Sequence, residues 1–554
     1  MKGYSFVLSF LSLASGALAL NLNAKRSAKG SSAGHRIFGS NESLAADDDD
    51  GTSAVGNVND VRYTTNITIN GVEVHVALDT GSTDLWQVNS TKLLVSPPNG
   101  VGTYNNTGVP LKLLYGDGTY GVSGSIGVAE FQFGDYRIQR QAFLNVEEIS
   151  VKGLLEHGIY GLLGLSFHVA SASPINSAIQ SRYGADATWG HSVLQNIFDQ
   201  HPTEPNFIAL DLARTDDLEE TDGGSFGIGE YEDEYAAIVN APKLPQFPRG
   251  GDRWTTLLEG VSVNGDPITL QPTISGVPAG HSLALLDTGD PTAIVPVYLL
   301  DAIYSRVPGS APYIARNNRK VWIVPCNATT SVSFRFGGQE FPIHPLDLTR
   351  VVEAIPKVHS ACVSAFVGAD GWGRNEYEIS LGDSFLRNVY SLYDFGDPQA
   401  GGTIGEPYMQ LLSQIEPEKA AAQVGVVRSK TMKAYSPEAD PLALVKLLEE
   451  TDAKAAGAAG TKSGTATGSP QAGIGGPSSP SSLDALGPAI LALLAVNTVV
   501  GIILVTFAVL HWLRRGRAPT VARSQPSQSW QGRYMQLDSR DQDRKYHHNQ
   551  GFGS

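Results

Sequence analysis

Short runs of apolar and β-branched residues dominate the middle of the chain, and Gly, Asn-Gly and Asp-Gly turns separate them. The alternation in Tyr63–Ile69 and Val72–Leu78, joined by Asn70-Gly71, predicts a β-hairpin with a type I′ turn. Long amphipathic helical patterns are scarce between residues 62 and 412. The pattern therefore predicts a mostly β body of about 350 residues, which is large enough for two lobes.

Two hydrophobic segments outside this body predict export and membrane anchoring. Residues 1–19 carry one lysine before a short apolar run that ends in a small-x-small site, which is typical of a cleaved signal peptide. A membrane span is the alternative interpretation, but the run is too short for one. Residues 485–513 contain no Asp, Glu, Lys or Arg, and an arginine cluster follows them. This pattern predicts a transmembrane helix at 486–513 and a cytoplasmic tail at 514–554.

A GPI-anchor signal is the alternative for the second segment, but such a signal ends at its hydrophobic tail, whereas a polar stretch follows here. We therefore predict a single-pass type I membrane protein, with its exported part at the cell surface or inside the vacuolar or endomembrane system. The predicted order is a signal peptide (1–19), a flexible leader (20–57), an N-terminal lobe (58–245), a C-terminal lobe (246–412), a disordered stalk (413–482), the membrane helix and the tail.

Charge and cysteine content narrow the function classes. The net charge of −15 excludes a nucleic-acid partner, because no basic face could neutralise phosphates. The 2 cysteines, Cys326 and Cys362, are free to form one disulfide in an oxidising compartment, and metal binding by them is less favoured. Export also agrees with five N-glycosylation sequons, which begin at Asn41, Asn66, Asn89, Asn105 and Asn327.

Two similar segments carry the candidate chemistry. Val76–Trp86 reads VALDTGSTDLW, and Ala284–Pro291 reads ALLDTGDP. In each, an apolar strand pattern leads directly into Asp-Thr-Gly, at Asp79 and at Asp287. A single such tripeptide is weak evidence, but two in equivalent contexts indicate duplicated halves that face each other. We therefore expect the two aspartates to lie side by side.

At these motifs the chain resembles the pepsin-like aspartic proteases, and among them the membrane-anchored fungal type. The resemblance covers about residues 60–410. Tyr115, in the sequence YGDGT, is similar to the tyrosine at the tip of the family's flap hairpin, and Trp86 is similar to the tryptophan paired with it. Leu162-Leu163-Gly164 and Ser380-Leu381-Gly382 resemble the apolar-apolar-Gly segments beside each catalytic loop, although Ser380 replaces an apolar residue. The two cysteines fall where the family's C-terminal lobe commonly has a disulfide.

The resemblance implies a bilobal, pseudo-twofold fold and an endopeptidase that works at acidic pH without a metal or cofactor. Asp79 and Asp287 would share one proton and activate a water molecule, because two close carboxylates cannot both ionise. The resemblance also implies roles for the neighbouring residues. Thr80 and Thr288 would brace the two loops. The backbone N–H groups of Gly81 and Gly289 would donate hydrogen bonds to the carboxylates, and the Ser82 hydroxyl would donate one to Asp79. The expected partners are protein or peptide substrates and a membrane, and the expected state is a monomer.

Asp290 departs from the family pattern, because it occupies the position that corresponds to Ser82. If ionised, it would raise the pKa values of the pair; if protonated, it would donate a hydrogen bond to Asp287. A third alternative is that it turns towards solvent while Pro291 shapes the loop. The departure also leaves open a second function, a non-catalytic relative that binds peptides through an impaired site.

Overall fold

The computed structural model describes residues 53–54, 56–57, 62–88 and 103–460, with short gaps at 117, 152, 170, 215–216, 218–223, 316–318, 374–375 and 399–403. These residues belong to one compact unit and are mostly β. The strands of the first half are β1 Ser53–Ala54, β2 Gly56–Asn57, β3 Tyr63–Ile69, β4 Val72–Asp79, β5 Leu85–Val88, β6 Asn105–Tyr115, β7 Tyr120–Phe133, β8 Tyr136–Ile149, β9 Gly161–Gly164, β10 Phe207–Asp211, β11 Ser225–Ile228 and β12 Leu244–Pro245.

The second half is also built from short strands. They are β13 Thr255–Leu258, β14 Gly260–Val263, β15 Asp266–Ile268, β16 Ser282–Leu286, β17 Ile294–Val295, β18 Ala311–Ile314, β19 Lys320–Val324, β20 Val332–Phe336, β21 Gln339–Ile343, β22 Thr349–Ile355, β23 His359–Ser364, β24 Val367–Gly368, β25 Ile379–Leu381, β26 Val389–Asp394 and β27 Tyr408–Ser413. The helices of the described chain are α1 Pro174–Tyr183, α2 Val193–Gln200, α3 Val297–Tyr304, α4 Asp383–Leu386, α5 Pro417–Thr431 and α6 Pro441–Gly460.

Local sequence explains the individual elements. The predicted hairpin forms between β3 and β4, and both turn residues, Asn70 and Gly71, have positive φ (49° and 76°), as a type I′ turn requires. In β20 the side chains alternate between buried phenylalanine or valine and outward polar residues. Ser173 caps the N-terminus of helix α1: its side chain accepts a hydrogen bond from the backbone N–H of Asn176 (3.2 Å).

The same strand arrangement occurs twice. The eight-stranded sheet has the order β2-β3-β4-β9-β5-β8-β7-β6, and a five-stranded sheet has the order β13-β16-β25-β17-β24. In the first, β9 is parallel to β4 and antiparallel to β5; in the second, β25 is parallel to β16 and antiparallel to β17. Both Asp-Thr-Gly motifs follow the equivalent strand, β4 or β16. The repeat therefore places both motifs at equivalent strand ends.

A six-stranded sheet takes strands from both predicted lobes. Its order is β1-β11-β10-β26-β27-β12, so strands before residue 245 pair directly with strands after residue 389. Two further four-stranded sheets, β15-β14-β20-β21 and β18-β19-β23-β22, belong to the second half. The largest apolar core includes residues of both halves, and Trp254 is fully buried within it. The two predicted lobes are thus joined by shared hydrogen bonds and shared packing.

Two predicted boundaries were wrong. Residues 53–54 and 56–57, assigned to the flexible leader, form β1 and β2, which pair with β11 and β3. Residues 417–460, assigned to the disordered stalk, form α5 and α6. Each helix buries one face: Ala420, Val424, Val427 and Arg428 in α5, and Leu444, Val445 and Leu448 in α6.

The remaining terminal predictions lie outside the described residues. They are the signal peptide, the rest of the leader, the stalk after residue 460, the membrane helix at 486–513 and the tail. Of the helices that the structure does describe, none combines the length and hydropathy needed to cross a membrane.

Candidate active site

Two threonines fasten the Asp-Thr-Gly loops to each other. The Thr80 backbone N–H donates to Thr288 Oγ1 (3.1 Å), and the Thr288 N–H donates to Thr80 Oγ1 (3.0 Å). Each hydroxyl in turn donates across the interface, to the carbonyl oxygens of Leu286 (2.9 Å) and Leu78 (3.0 Å). Both threonines are fully buried. Because every donor and acceptor of this link is satisfied away from water, the link holds the two loops in a fixed relationship.

The two aspartates meet where the loops cross, and each carboxyl group lies against the glycine of the opposite loop. The two glycines show how closely the opposing backbones approach. A Cβ atom on Gly81 would lie 2.3 Å from Asp287 Oδ2, and one on Gly289 would lie 2.3 Å from Asp79 Oδ1. Each glycine N–H also donates to the aspartate of its own loop, at 2.9 Å for Asp79 and 2.7 Å for Asp287. Only glycine permits both the approach and the donation.

The environments of the two carboxyl groups differ. Asp79 Oδ2 also accepts a hydrogen bond from the Ser82 hydroxyl (2.5 Å), which stabilises a carboxylate. Burial raises the pKa of Asp287 well above its usual range, and the nearby negative charges of Asp290 and Asp79 raise it further. The Gly289 N–H opposes this rise but does not outweigh it. The pair is therefore suited to hold one proton, with Asp287 as the protonated member.

Asp290 adopts an arrangement that sequence reasoning did not anticipate. Its Oδ2 accepts a hydrogen bond from the hydroxyl of Ser380, which is fully buried on β25. Burial raises the pKa of Asp290 to about 6, while the Ser380 hydroxyl and the positive charge of Arg62 oppose the rise. The two departures from the family pattern, an acid in the loop and a serine in the apolar segment, thus form one pair. The sequence interpretation treated Ser380 only as a replacement of an apolar residue and missed this partnership.

The hairpin β6–β7, called the flap from here on, places Tyr115 over the first aspartate. Tyr115 ends β6 and lies directly opposite Tyr120. Its pKa is raised well above the usual range, mainly by burial and then by the charges of Asp79 and Asp84, so the phenol lies near the carboxyl pair. Trp86 is fully buried in the apolar cluster beneath the flap, and Tyr115 packs against this cluster. The structure therefore brings together the predicted tyrosine and tryptophan.

Two residues near the pair were missed in the sequence. Tyr377 lies close enough to Asp290 and Asp287 for their charges to raise its pKa, after the larger effect of burial. The Arg253 guanidinium donates to the Gly81 carbonyl oxygen (3.0 Å) and pairs with Glu376 (2.7 Å). Neither residue belongs to a repeated motif, and the available signal was only that Tyr377 precedes the Ser380 segment by three positions.

The remaining predicted residues are the two cysteines and the asparagines of the glycosylation sequons. Cys326 and Cys362 form a disulfide with a Cα–Cα distance of 5.0 Å. Asn105 and Asn327 are exposed on the surface, and Asn66 is partly exposed beside His75. Asn41 and Asn89 lie outside the described residues.

Comparison with known proteins agrees with this site. The family model described as eukaryotic aspartyl protease matches residues 62–403, which include both Asp-Thr-Gly motifs, the flap and the disulfide. The chain belongs to this family.

The relatives of the chain are fungal proteases at low identity. It is 23% identical over 335 residues to major aspartyl peptidase 1 of Cryptococcus neoformans var. grubii, a match that covers 59% of this chain and 64% of the relative. It is 24% identical over 338 residues to the aspartic-type endopeptidase ctsD of Aspergillus fumigatus, covering 60% and 62%. It is 25% identical over 338 residues to vacuolar protease A of the same fungus, covering 59% and 74%. The chain thus spans less than two thirds of the first two relatives.

Proposed function

We propose that this protein is an aspartic endopeptidase that hydrolyses peptide bonds at acidic pH. The observation that carries the proposal is the close approach of the Asp79 and Asp287 carboxyl groups across the two loops, held by the reciprocal threonine link. Family membership supports it, as do the names of the fungal relatives, which include an aspartic-type endopeptidase. Acidic pH is required because the pair acts with one shared proton.

The different surroundings of the two acids assign their roles. Asp79, which receives the Ser82 and Gly81 donors, takes a proton from the attacking water while the water oxygen bonds to the scissile carbonyl carbon. Asp287 gives its proton to the carbonyl oxygen, so that a neutral gem-diol forms. In the second step the proton on Asp79 moves to the amide nitrogen, the C–N bond breaks, and one hydroxyl proton returns to Asp287. The pair thereby regains its starting proton count.

The flap suits an extended peptide substrate. A β hairpin above a cleft offers backbone hydrogen bonds to an extended chain, and pockets along the cleft then take alternate side chains. Tyr115 near Asp79 would close over the scissile bond and exclude bulk water. Substrates with bulky apolar residues on both sides of the bond follow from this arrangement.

The compartment is part of the same proposal. The signal-peptide pattern, the sequons and the disulfide support export, and the likeness to a protein named vacuolar protease A supports a vacuolar or other lumenal location. The charge-free segment at 486–513 supports anchoring by one membrane helix, with the protease on the exported side and as a monomer.

The test is hydrolysis of a generic protein substrate by the purified full-length chain across the acidic pH range. Asp79→Asn and Asp287→Asn should each lower kcat by at least about 10³-fold without loss of folding, and an inhibitor that mimics the tetrahedral intermediate should block the wild type. Asp266→Asn is the control, because Asp266 is exposed on β15.

A non-catalytic peptide-binding role is the second candidate, and the observation that favours it is Asp290, a third acid where the first loop has Ser82. Peptide binding with no cleavage by the wild type at any acidic pH would replace the protease proposal with this one.

A further inference from the structure

A cavity lies between α6 and one face of the β18-β19-β23-β22 sheet, which belongs to the second half of the chain. Its volume is about 70 Å³. The lining is mainly apolar, and α6 closes one side with Leu444 and Leu448. The sheet side is contributed by alternate residues of adjacent strands, among them Val352, Val363 and Ile323. Incomplete packing between helix and sheet creates this space.

A charged residue interrupts the apolar lining. Arg350 lies on β22, on the same sheet face as Val352, and pairs across the strand with Val363. Its Nε atom is buried and has no hydrogen-bond partner within the part of the chain that the structure describes. A guanidinium stays charged in proteins, and a buried charge without an anion is costly. The site therefore offers a positive charge with an unused buried donor, to which an anion could bind.

The neighbouring acids are engaged with other groups. Asp347 receives Arg214 and Arg387 on its two oxygens, and Asp452 accepts a hydrogen bond from the hydroxyl of Tyr313, which lines the cavity (2.6 Å). The positive charge of Arg387 acts unfavourably on Arg350, and burial together with that charge lowers the pKa of Arg350 to about 10. At the rim of the cavity, Lys320 is engaged with Asp301 (2.6 Å). Within the described part of the chain, none of these acids is paired with Arg350.

We infer that this cavity binds a short aliphatic carboxylate, with the carboxylate on the Arg350 guanidinium and the hydrocarbon chain between α6 and the sheet. A space of about 70 Å³ holds about five or six non-hydrogen atoms, at roughly one per 10–15 Å³. Butanoate has this size. A guanidinium and a carboxylate form a charge-assisted, bidentate pair, and the apolar lining suits an alkyl chain.

The site is separate from the proposed proteolysis but is linked to that region of the fold. Val367 and Gly368 line the cavity on β24, which pairs with β17. Just before β17, the Thr292 hydroxyl donates to the Ala365 carbonyl oxygen (2.5 Å). One short strand therefore lies between the cavity and the loop that carries Asp290. Binding itself does not require the catalytic pair.

The experiment measures the Tm of the full-length chain against increasing butanoate at about pH 6.5, where aliphatic carboxylic acids are ionised. Butanoate should raise Tm saturably, and butylamine should not. Butanoate should bind about fifteenfold more tightly than acetate, because each of its two additional methylene groups contributes about fourfold. Arg350→Gln should abolish the shift. Arg335→Gln should retain it, because Arg335 is an exposed arginine on β20, away from the cavity.

Other outcomes would overturn the inference. Equal effects of butanoate, acetate and butylamine would show that only water or non-specific ions occupy the cavity. A full butanoate shift in Arg350→Gln would also reject it. If that variant does not fold, the carboxylate-against-amine and chain-length comparisons on the wild type decide alone. Asp79→Asn should bind butanoate normally, so failure of this site and failure of the protease proposal are distinguishable.

Discussion

Thr80 and Thr288 are reciprocal hydrogen-bond partners: the backbone N–H of each donates to the side-chain oxygen of the other, at 3.0–3.1 Å. Their hydroxyls then donate to backbone carbonyls on the opposite loop. The side chains that make this link are therefore separate from the carboxyl groups that they bring together. The geometry of the pair depends on residues that take no part in the proposed proton transfer.

Replacing Thr80 or Thr288 with valine keeps the shape and removes the hydroxyl. Each single substitution should cost about 2–4 kcal/mol of unfolding free energy, because buried partners lose their hydrogen bonds. The double variant should cost less than the sum of the singles, by about 0.5–3 kcal/mol, since both act on one link. Chemical denaturation at a fixed pH measures these values. Thr80→Ser and Thr288→Ser, which keep the hydroxyl, are the controls, and additive costs would contradict the shared link.

Gly81→Ala tests how tightly the loops approach. The added methyl would lie 2.3 Å from Asp287 Oδ2, so the carboxyl group or the loop must move. We expect kcat to fall by at least about 10²-fold, as a displacement near 1 Å commonly does in an active site. Gly425→Ala is the matched control, because a Cβ there meets nothing within 4 Å. Activity of Gly81→Ala within a few-fold of the wild type would show that the loops are not held closely.

Asp290→Thr should change the pH dependence of activity. The negative charge of Asp290 helps to raise the pKa of Asp287, so its removal lets Asp287 lose its proton at lower pH. The alkaline limb of the kcat/KM profile should therefore move towards lower pH, while activity is retained. Threonine keeps a hydroxyl that can pair with Ser380. Superimposable profiles for the wild type and Asp290→Thr would remove Asp290 from the mechanism; Asp266→Asn should leave the profile unchanged.

Asp290→Thr should also change how the free energy of unfolding depends on pH. The folded-state pKa of Asp290, about 6, is above its unfolded value, so the folded state binds the proton more tightly. This contribution is fully present below the unfolded pKa and is lost as pH rises through about 6. Asp290→Thr should therefore gain stability relative to the wild type above pH 6, by up to about 3 kcal/mol, and little at pH 3. Urea denaturation at both pH values measures this, and a gain at pH 3 alone would reverse the argument.

The pKa of Asp347 is shifted downwards, opposite to that of Asp290. Asp347 is buried, and Arg214 and Arg387 hold its pKa below its usual range despite the cost of burial. The stability that it contributes is present above the unfolded pKa, near 4, and is lost only as pH falls towards the lower folded value. Asp347→Asn should cost about 3–5 kcal/mol at pH 6, because two arginines lose their buried partner.

The cost of Asp347→Asn should persist at pH 4 and shrink only in stronger acid. Denaturation measured from pH 6 to pH 2 checks this course. Glu416→Gln, which breaks an exposed pair with Lys419, is the control and should cost at most about 1 kcal/mol. A cost for Asp347→Asn that vanished by pH 4 would show that the ion pair does not protect the fold in the proposed working range.

The sequence predicted the structural features that depend on short local patterns. The β3–β4 hairpin with its Asn70-Gly71 turn and the disulfide were predicted correctly, because each depends on a short pattern or a cysteine pair. The repeated strand order follows from duplicated halves. The mostly β body also agreed with the alternation of apolar residues.

What the sequence did not predict depends on tertiary contacts. The Asp290–Ser380 pair joins residues 90 positions apart, and neither residue alone indicates the other. Arg428 falls in the segment that was assigned to the stalk, yet it is buried and donates to the Thr349 carbonyl oxygen (2.9 Å). The surface that α5 and α6 cover lies far away in the sequence, so the segment alone does not indicate it.

Those two helices have a practical consequence for protein production. The stretch matched by the family model ends at residue 403, but the apolar sheet face that includes Val352 and Ala361 is covered by α6. A recombinant protease trimmed near residue 412 would expose that face to solvent and tend to aggregate. Expression boundaries drawn from family resemblance alone would thus leave this apolar face uncovered, whereas a chain that extends through residue 460 retains α6 over it.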